Sequence, residues 1–319
     1  MFCLFKINKL FNLKIKSLDI MLIIFIILMI INPYYIYSTS FWFSYLISFF
    51  LTIFNKEISK TKYKRLYTSL ICFLVSLPII IYNYYQVSLL TIILNLIFIP
   101  LVSYIIFPLS ILTIVFPFLD NVLYIFIHIF EISNKYMANI NIFQIVLAKP
   151  SIYLIIIYYI ILIICLKKKK VFILLIFSLI IYKYSYYLNG KLNITYLDVN
   201  QGDSIVITYK NKTLLIDTGG SYYYKDLSLK RTLPYLKSIG RTKIDYLILT
   251  HGDYDHMGEA INIVNNIKIE KVIFNCGEFN NLEKELIKVL DKKHIKYYSC
   301  ISELNIDKNK LYFLQTKEY

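Results

Sequence analysis

Four side chains able to ligate a metal fall within one six-residue run, His251-Gly252-Asp253-Tyr254-Asp255-His256, placed directly after the apolar stretch Tyr246 to Thr250. Imidazole and carboxylate together suit zinc or manganese. Gly252 gives the backbone freedom for His251, Asp253, Asp255 and His256 to be offered by one tight loop. The chemistry such a set supports is metal-dependent hydrolysis. A solvated helix cap is the competing reading, with Asp255 capping a helix that starts near His256. Capping needs one carboxylate and no histidine, so it leaves most of the run unexplained.

The loop must be held by its neighbours, and from Asn189-Gly190 onward the sequence changes to short alternating strands and amphipathic helices. Strands are expected at 191–199, 204–209, 213–217, 244–250, 270–274 and 295–299, and helices at 228–239, 256–266 and 281–292. That order predicts a layered mixed α/β domain with its site at strand ends. Asp198 and Asp203 flank the Gln201-Gly202 turn, and Asp217 closes a strand just before Gly219-Gly220. Each is a candidate to accept hydrogen bonds from the metal loop and so orient it. For Asp198 and Asp203 the role of an ordinary turn carboxylate is an equal alternative.

The preceding residues have a different character. The whole chain has 319 residues, 58% of them hydrophobic, and a formal net charge of +15; its mean hydropathy is +0.58. Residues 1–188 hold 16 of the 35 Lys and Arg but 4 of the 20 Asp and Glu, a net of +12, which leaves about +3 for the remainder. Basic charge concentrated in apolar sequence points to membrane orientation rather than to a nucleic-acid-binding stripe. Runs at 19–37, 40–54, 66–83, 151–166 and 171–188 are candidate spans of a hydrocarbon layer about 30 Å thick. Met21 to Ile31 runs into Asn32-Pro33 without a small-residue cleavage site, so the first span is expected to be an anchor.

Lysine clusters at 6–16, 56–65 and 167–170 are all expected to face the cytoplasm. That parity predicts two crossings within 89–119, a stretch interrupted by Asn95, Pro100, Pro108 and Pro117. The helix Val171 to Leu188 then leaves the cytoplasm and puts the distal domain outside. Residues 121–149 read as an amphipathic helix at the interface. Within it, His128 and Glu131 share a face that could serve a polar pore or, more simply, an interfacial pair. Asn95 suggests a bundle interior or channel wall. Of five cysteines, Cys276 and Cys300 can pair if the distal half meets an oxidising compartment.

The segments LDVNQGDSIVI (197–207), LLIDTGG (214–220), LPYLKSIG (233–240) and IDYLILTHGDYDHMGE (244–259) resemble the start of the metallo-β-lactamase-like domain of the ComEC competence family. Independently, INPYYIYSTSFWFSYL (31–46) and SLPIIIYNYYQVSLLTIILNLIFIPLVSYIIFPLSIL (76–112) resemble later helices of that family's membrane channel domain. Asn200 stands where the family's turn has glycine, a mild change because Asn tolerates positive φ. Asp253 holds the place of the second histidine of the wider superfamily's H-x-H-x-D-H loop, as is usual in the ComEC branch.

The resemblance implies an α-helical multi-pass membrane domain (1–188) followed by a partial mixed α/β, metallo-β-lactamase-like αββα domain (189–319). It covers the later part of the channel and about the first half of the hydrolase domain. It further implies uptake of single-stranded DNA across the cytoplasmic membrane during natural transformation, with the lipid bilayer and other competence proteins as partners. The complete site would hold two divalent metals, with His251, Asp253, Asp255 and His256 as ligands and Asp255 also orienting the nucleophile. Of four histidines, His128 lies in the membrane half and His294 at a lysine-rich helix end, so residues 251–256 are expected to be half of such a site. A non-catalytic translocation component, or an inactive fragment, is the alternative.

Overall fold

Long apolar runs without strand-type alternation become helices, and the first part of the chain is helical almost throughout. The computed structural model describes residues 2–138, 140, 143–167, 172–185, 190–307 and 309–314. The chain divides into two compact units, Met1–Ile145 with Pro150–Leu175 and Val146–Lys149 with Ile176–Tyr319.

The helices of the apolar part are α1 (Phe2–Leu10), α2 (Ser17–Ile31), α3 (Thr39–Ile53), α4 (Asn55–Lys60), α5 (Lys64–Tyr84), α6 (Thr91–Leu101), α7 (Phe107–Val115), α8 (Asp120–Ala138), α9 (Ile152–Lys167) and α10 (Phe172–Ser185). Short strands β1 (Gln86–Ser88) and β2 (Gln144–Val146) pair with each other. Among the described residues, two helices, Lys64–Tyr84 and Thr91–Val115, are long and apolar enough to cross a membrane, and four further apolar helices are shorter.

Helix α5 is the packing centre of the first unit, with α3, α6 and α9 against it. Pro78 inside α5 has no N–H to give to the Leu74 carbonyl. The Tyr158 hydroxyl donates to that oxygen at 2.9 Å, and Tyr159 donates to the Val75 carbonyl at 2.9 Å. Tyr158 thus satisfies the backbone carbonyl that the proline frees in apolar surroundings.

The stretch 89–119 departs from expectation. It forms one helical rod, Thr91–Val115, rather than two short crossings. Pro100 and Pro108 fail to break it because a π-turn, Val102–Ile106, lies between them, and its wider winding absorbs the missing amide bonds; the Phe107 N–H bonds to Val102 O. The chain reverses at Pro117–Leu119, and α8 packs back on α7, with Phe98 and Phe130 edge to face at 5.1 Å. The amphipathic helix expected over 121–149 forms, but it is shorter and stops at Ala138. Lys168 to Lys170, part of the third lysine cluster, lie outside the described residues, as does Asn189.

In the second unit, alternation produces a six-stranded sheet of order β3-β4-β5-β6-β7-β8: β3 (Asn193–Tyr196), β4 (Ile205–Tyr209), β5 (Lys212–Ile216), β6 (Lys243–Ile248), β7 (Lys268–Phe274) and β8 (Lys296–Ser299). The first three strands are antiparallel and β5 through β8 run parallel. The parallel crossovers are α11 (Leu233–Ser238) with the π-turn before it, α12 (Tyr254–Met257) with α13 (Ala260–Asn266), and α14 (Asn281–Lys292). Leu215, Leu247, Leu249 and Val272 face these helices and pack with Leu236, Ile263, Leu286 and Leu290. Leu214, Ile248 and Ile273 face the other way. They meet Leu304, Ile306 and Leu311 from a separate hairpin, β9 (Glu303–Ile306) and β10 (Asn309–Tyr312).

Candidate metal centre

The loop 251–256 sits at the carboxyl ends of adjacent parallel strands, where open α/β sheets place their sites. Ile216 of β5 is in register with Ile248 of β6, so Asp217 and the segment 249–251 leave the sheet side by side. The Asp217 N–H bonds the Ile248 carbonyl at 2.8 Å, and Leu249 N bonds Ile273 O at 2.8 Å, which carries the sheet ladder up to the site. Asp217 is buried and adopts φ +53°, a left-handed conformation that Asp tolerates better than most residues.

That conformation turns its carboxylate under the loop. Oδ1 accepts from Thr250 N at 2.8 Å, and Oδ2 accepts from Thr250 Oγ1 at 2.6 Å and from His256 Nδ1 at 2.9 Å. A carboxylate only accepts, so His256 carries its proton on Nδ1 and presents the Nε2 lone pair outward. The Thr250 hydrogen is committed to Asp217. Its oxygen therefore accepts from His251 Nδ1 at 3.0 Å, and His251 also presents Nε2. One buried carboxylate and one threonine fix the tautomers of both histidines.

His251, Asp255 and His256 each place a ligating atom within 4.8 Å of the other two. The imidazole rings lie 3.8 Å apart between centroids, and His256 Nε2 is 3.8 Å from Asp255 Oδ2. Ligands on one zinc are separated by at most about twice the metal–ligand length of about 2.0–2.2 Å, so the widest pair closes by a few tenths of an ångström around an ion. The donor set of two neutral imidazoles and one carboxylate fits such an ion. Asp253 is outside this trio: its side chain is 73% exposed, with Oδ2 3.5 Å from His251 Nε2. It occupies the N-cap position of α12 but makes no side-chain cap bond, so the loop's carboxylates do not serve as caps.

Asp198 and Asp203 are placed differently from Asp217. The Asp198 carboxylate accepts from Asn200 N at 3.2 Å and approaches Arg231 at 4.0 Å, both away from the histidines. Asp203 contributes its backbone carbonyl, which accepts from Gly219 N at 2.8 Å. Asn200 adopts φ +65°, as its place in the turn requires. Asn95 is half buried on α6, while His128 and Glu131 are exposed on α8, with His128 stacked on Tyr124 at 5.6 Å.

Two glycines set how closely the supports approach. A Cβ on Gly202, at φ +82°, would overlap the Asp255 carbonyl oxygen, and one on Gly220 would overlap the Tyr254 carbonyl oxygen. Thr218 N bonds the His256 carbonyl at 2.7 Å, so the segment after β5 grips the loop backbone as well as its side chains. From the other side, Asn280 Nδ2 donates to the Gly252 carbonyl at 2.6 Å, while Asn280 also forms a reciprocal capping box with Glu283 at the start of α14.

Glu259 is a third support that sequence reasoning does not single out. It is buried, and accepts from Leu227 N, Ser228 N, Ser228 Oγ (2.6 Å) and Asn262 Nδ2 (2.9 Å). Burial pushes its carboxyl up, but the bonds from Asn262, Ser228 and Leu227 together outweigh burial and hold it below the usual carboxylate range. The signals for Thr250, Glu259 and Asn280 were present only as polar residues beside the motif; their partners lie 28 to 33 positions away in sequence.

A helical, strongly apolar unit joined to a mixed α/β unit with a histidine and aspartate centre at the ends of parallel strands defines a membrane-type protein carrying a metallo-β-lactamase-type domain. The competence protein family model matches residues 1–171, and the metallo-beta-lactamase superfamily model matches residues 197–293. The chain belongs to the competence protein family. It is similar to ComE operon protein 3 of Bacillus subtilis (strain 168), at 25% identity over 300 residues that cover 83% of this chain and 38% of that protein. The chain thus spans well under half the length of that curated relative.

Proposed function

We propose that this chain contributes to DNA uptake through the cytoplasmic membrane. The first unit forms a multi-pass helical path, and the second unit lies outside and holds a metal-dependent phosphodiesterase-type centre. The observation that carries the reading is the trio His251, Asp255 and His256, braced by Asp217, in a chain of the competence family. In this reading Thr91–Val115 crosses the bilayer, and the return crossing that the lysine clusters call for is assigned to Asp120–Ala138, a less apolar helix that carries Asp120, Glu131 and Lys135. A disulfide between Cys276 and Cys300 fits an oxidising compartment outside the membrane.

In this reading His251, Asp255 and His256 would hold a zinc or manganese ion, with Asp253 beside His251 as a further ligand. When bound, the ion would make a hydroxide available near neutral pH and polarise a phosphodiester oxygen. Asp255 orients the attacking water, and Asp217 with Thr250 keeps both imidazoles aimed. A complete site would take two such ions. Cleavage of one strand outside would leave the other, single-stranded, for passage between the helices, with the bilayer and other competence proteins as partners.

A second reading, a translocation component without catalysis, is favoured by one observation: the cluster formed by the described residues is a trio, enough for one ion rather than a pair. Strand cleavage separates the two. Full-length chain in lipid nanodiscs with zinc or manganese is expected to nick a labelled oligonucleotide, and the Asp255→Ala, His256→Ala double variant to lose that activity at least about 100-fold. Cleavage that persists undiminished in the double variant would remove the basis for the hydrolytic reading.

A further inference from the structure

Three consecutive tyrosines project from the loop beside the candidate centre. Tyr222, Tyr223 and Tyr224 are 78%, 89% and 58% exposed. Tyr222 stacks almost parallel on Tyr254, at 4.1 Å between ring centroids and 13° between planes. Tyr254 sits inside the metal loop, between Asp253 and Asp255. One of the three rings is therefore seated on the metal loop itself.

The loop that carries these rings is clamped at both ends. At the near end, Gly219 N bonds Asp203 O at 2.8 Å, and Gly220 lies against the Tyr254 backbone. At the far end, Leu227 N and Ser228 donate to the Glu259 carboxylate, while the Glu259 N–H bonds Gly219 O at 3.1 Å. One residue thus ties both ends, three positions after His256. Residues 221–231 also carry Lys225, Lys230 and Arg231 against the carboxylate of Asp226, with Asp198 4.0 Å from Arg231 and the Lys230 ammonium donating to the Lys225 carbonyl at 3.1 Å.

We propose that Tyr222, Tyr223 and Tyr224 form a stacking platform for the bases of single-stranded nucleic acid, with the neighbouring cations meeting its phosphates, and so deliver the strand to the metal loop. This rests on the phosphodiesterase reading above and names its substrate-positioning element. Flat exposed rings with interleaved cations suit splayed bases of any sequence, because every base offers a π-face while the backbone offers regular negative charge. A pre-clamped loop loses little conformational freedom when a strand stacks on it.

The test measures binding apart from cleavage. Full-length chain in nanodiscs, with divalent ions removed by chelation, is titrated into a fluorescent oligothymidylate of about 15 nucleotides and into an abasic strand of the same length. Wild type is expected to prefer the thymidylate. The Tyr222→Ala, Tyr223→Ala, Tyr224→Ala variant is expected to lose that preference, weakening by about 5- to 150-fold for each base it stacks. The corresponding triple Phe variant keeps the rings and is expected to retain the preference, and so is the cleavage-defective Asp255→Ala, His256→Ala variant, which separates this inference from the hydrolytic reading. Equal affinity of wild type for the two strands, or unchanged binding by the triple Ala variant, would overturn the platform. So would protection of the three rings from aqueous nitration by the bilayer alone, which would make the loop a membrane contact.

Discussion

Asp217→Asn is expected to weaken divalent-ion binding about 10- to 100-fold, the range typical when a residue that orients metal ligands is lost. Asn tolerates the φ of +53° as Asp does, so the backbone stays and only the second oxygen is lost. Three donors converge on the carboxylate: Thr250 N on one oxygen, Thr250 Oγ1 and His256 Nδ1 on the other. An amide has one acceptor oxygen, and its NH2 must face a donor. Either Thr250 N or the Thr250–His256 pair then loses its acceptor, at a cost of about 1–3 kcal/mol for each buried group left unpaired. His256 is released to take the other tautomer, with its proton on Nε2. Isothermal titration with zinc, beside thermal melting, separates aim from stability. Leu286→Ala, which empties the helix-facing core, is expected to lower stability by about 2–5 kcal/mol and leave metal affinity unchanged. If Asp217→Asn loses no more affinity than Leu286→Ala, Asp217 is not the orienting group.

Gly202→Ala is expected to be as damaging although it removes no functional atom. Its φ of +82° costs a side-chain-bearing residue about 1–2 kcal/mol, and the added Cβ would collide with the Asp255 carbonyl, which is backbone and cannot rotate aside. Either the turn 199–203 lifts away, uncoupling Gly219 from the Asp203 carbonyl, or Asp255 is displaced from the histidines. Gly190→Ala is the matched comparison: its Cβ would meet nothing within 4 Å, and it is expected to change stability by less than about 0.5 kcal/mol. Chemical denaturation of both variants, with zinc affinity measured on each, checks the pair. Similar behaviour of the two would show that the turn does not press on the loop.

The sheet was legible because its strands are short apolar runs bounded by turn residues, with β5, β6 and β7 buried on both faces. Val206, Leu215 and Leu247 face the helices, while Ile207, Leu214 and Ile248 face the other way, and the six strands fall close to their expected places. The hairpin β9–β10 was not foreseen, since Glu303–Ile306 and Asn309–Tyr312 are short and mostly exposed, which leaves little hydrophobic period to detect. Helix 91–115 is hidden in the sequence for a different reason. Prolines 100 and 108 read as breaks, and only the π-turn between them shows how the rod continues.

At the centre, residue types and spacing point to His251, Asp253, Asp255 and His256, because the ligands are local in sequence, and three of the four come together. The network that aims them is not local. The bond from His256 to Asp217 spans 39 positions and that from Gly252 to Asn280 spans 28, and nothing in the composition of either segment encodes the pairing. Asp253 illustrates the limit of spacing: it shares the motif and reaches within 3.5 Å of His251 Nε2, yet its side chain is 73% exposed and stays outside the trio.

The central claim is that His251, Asp255 and His256 hold a divalent ion. The most direct measurement is the zinc and manganese content per full-length chain after purification and dialysis, for wild type beside the Asp255→Ala, His256→Ala variant. The account predicts about one ion or more in wild type and near none in the variant. Wild type that retains no ion, or a variant that retains as much as wild type, would contradict it.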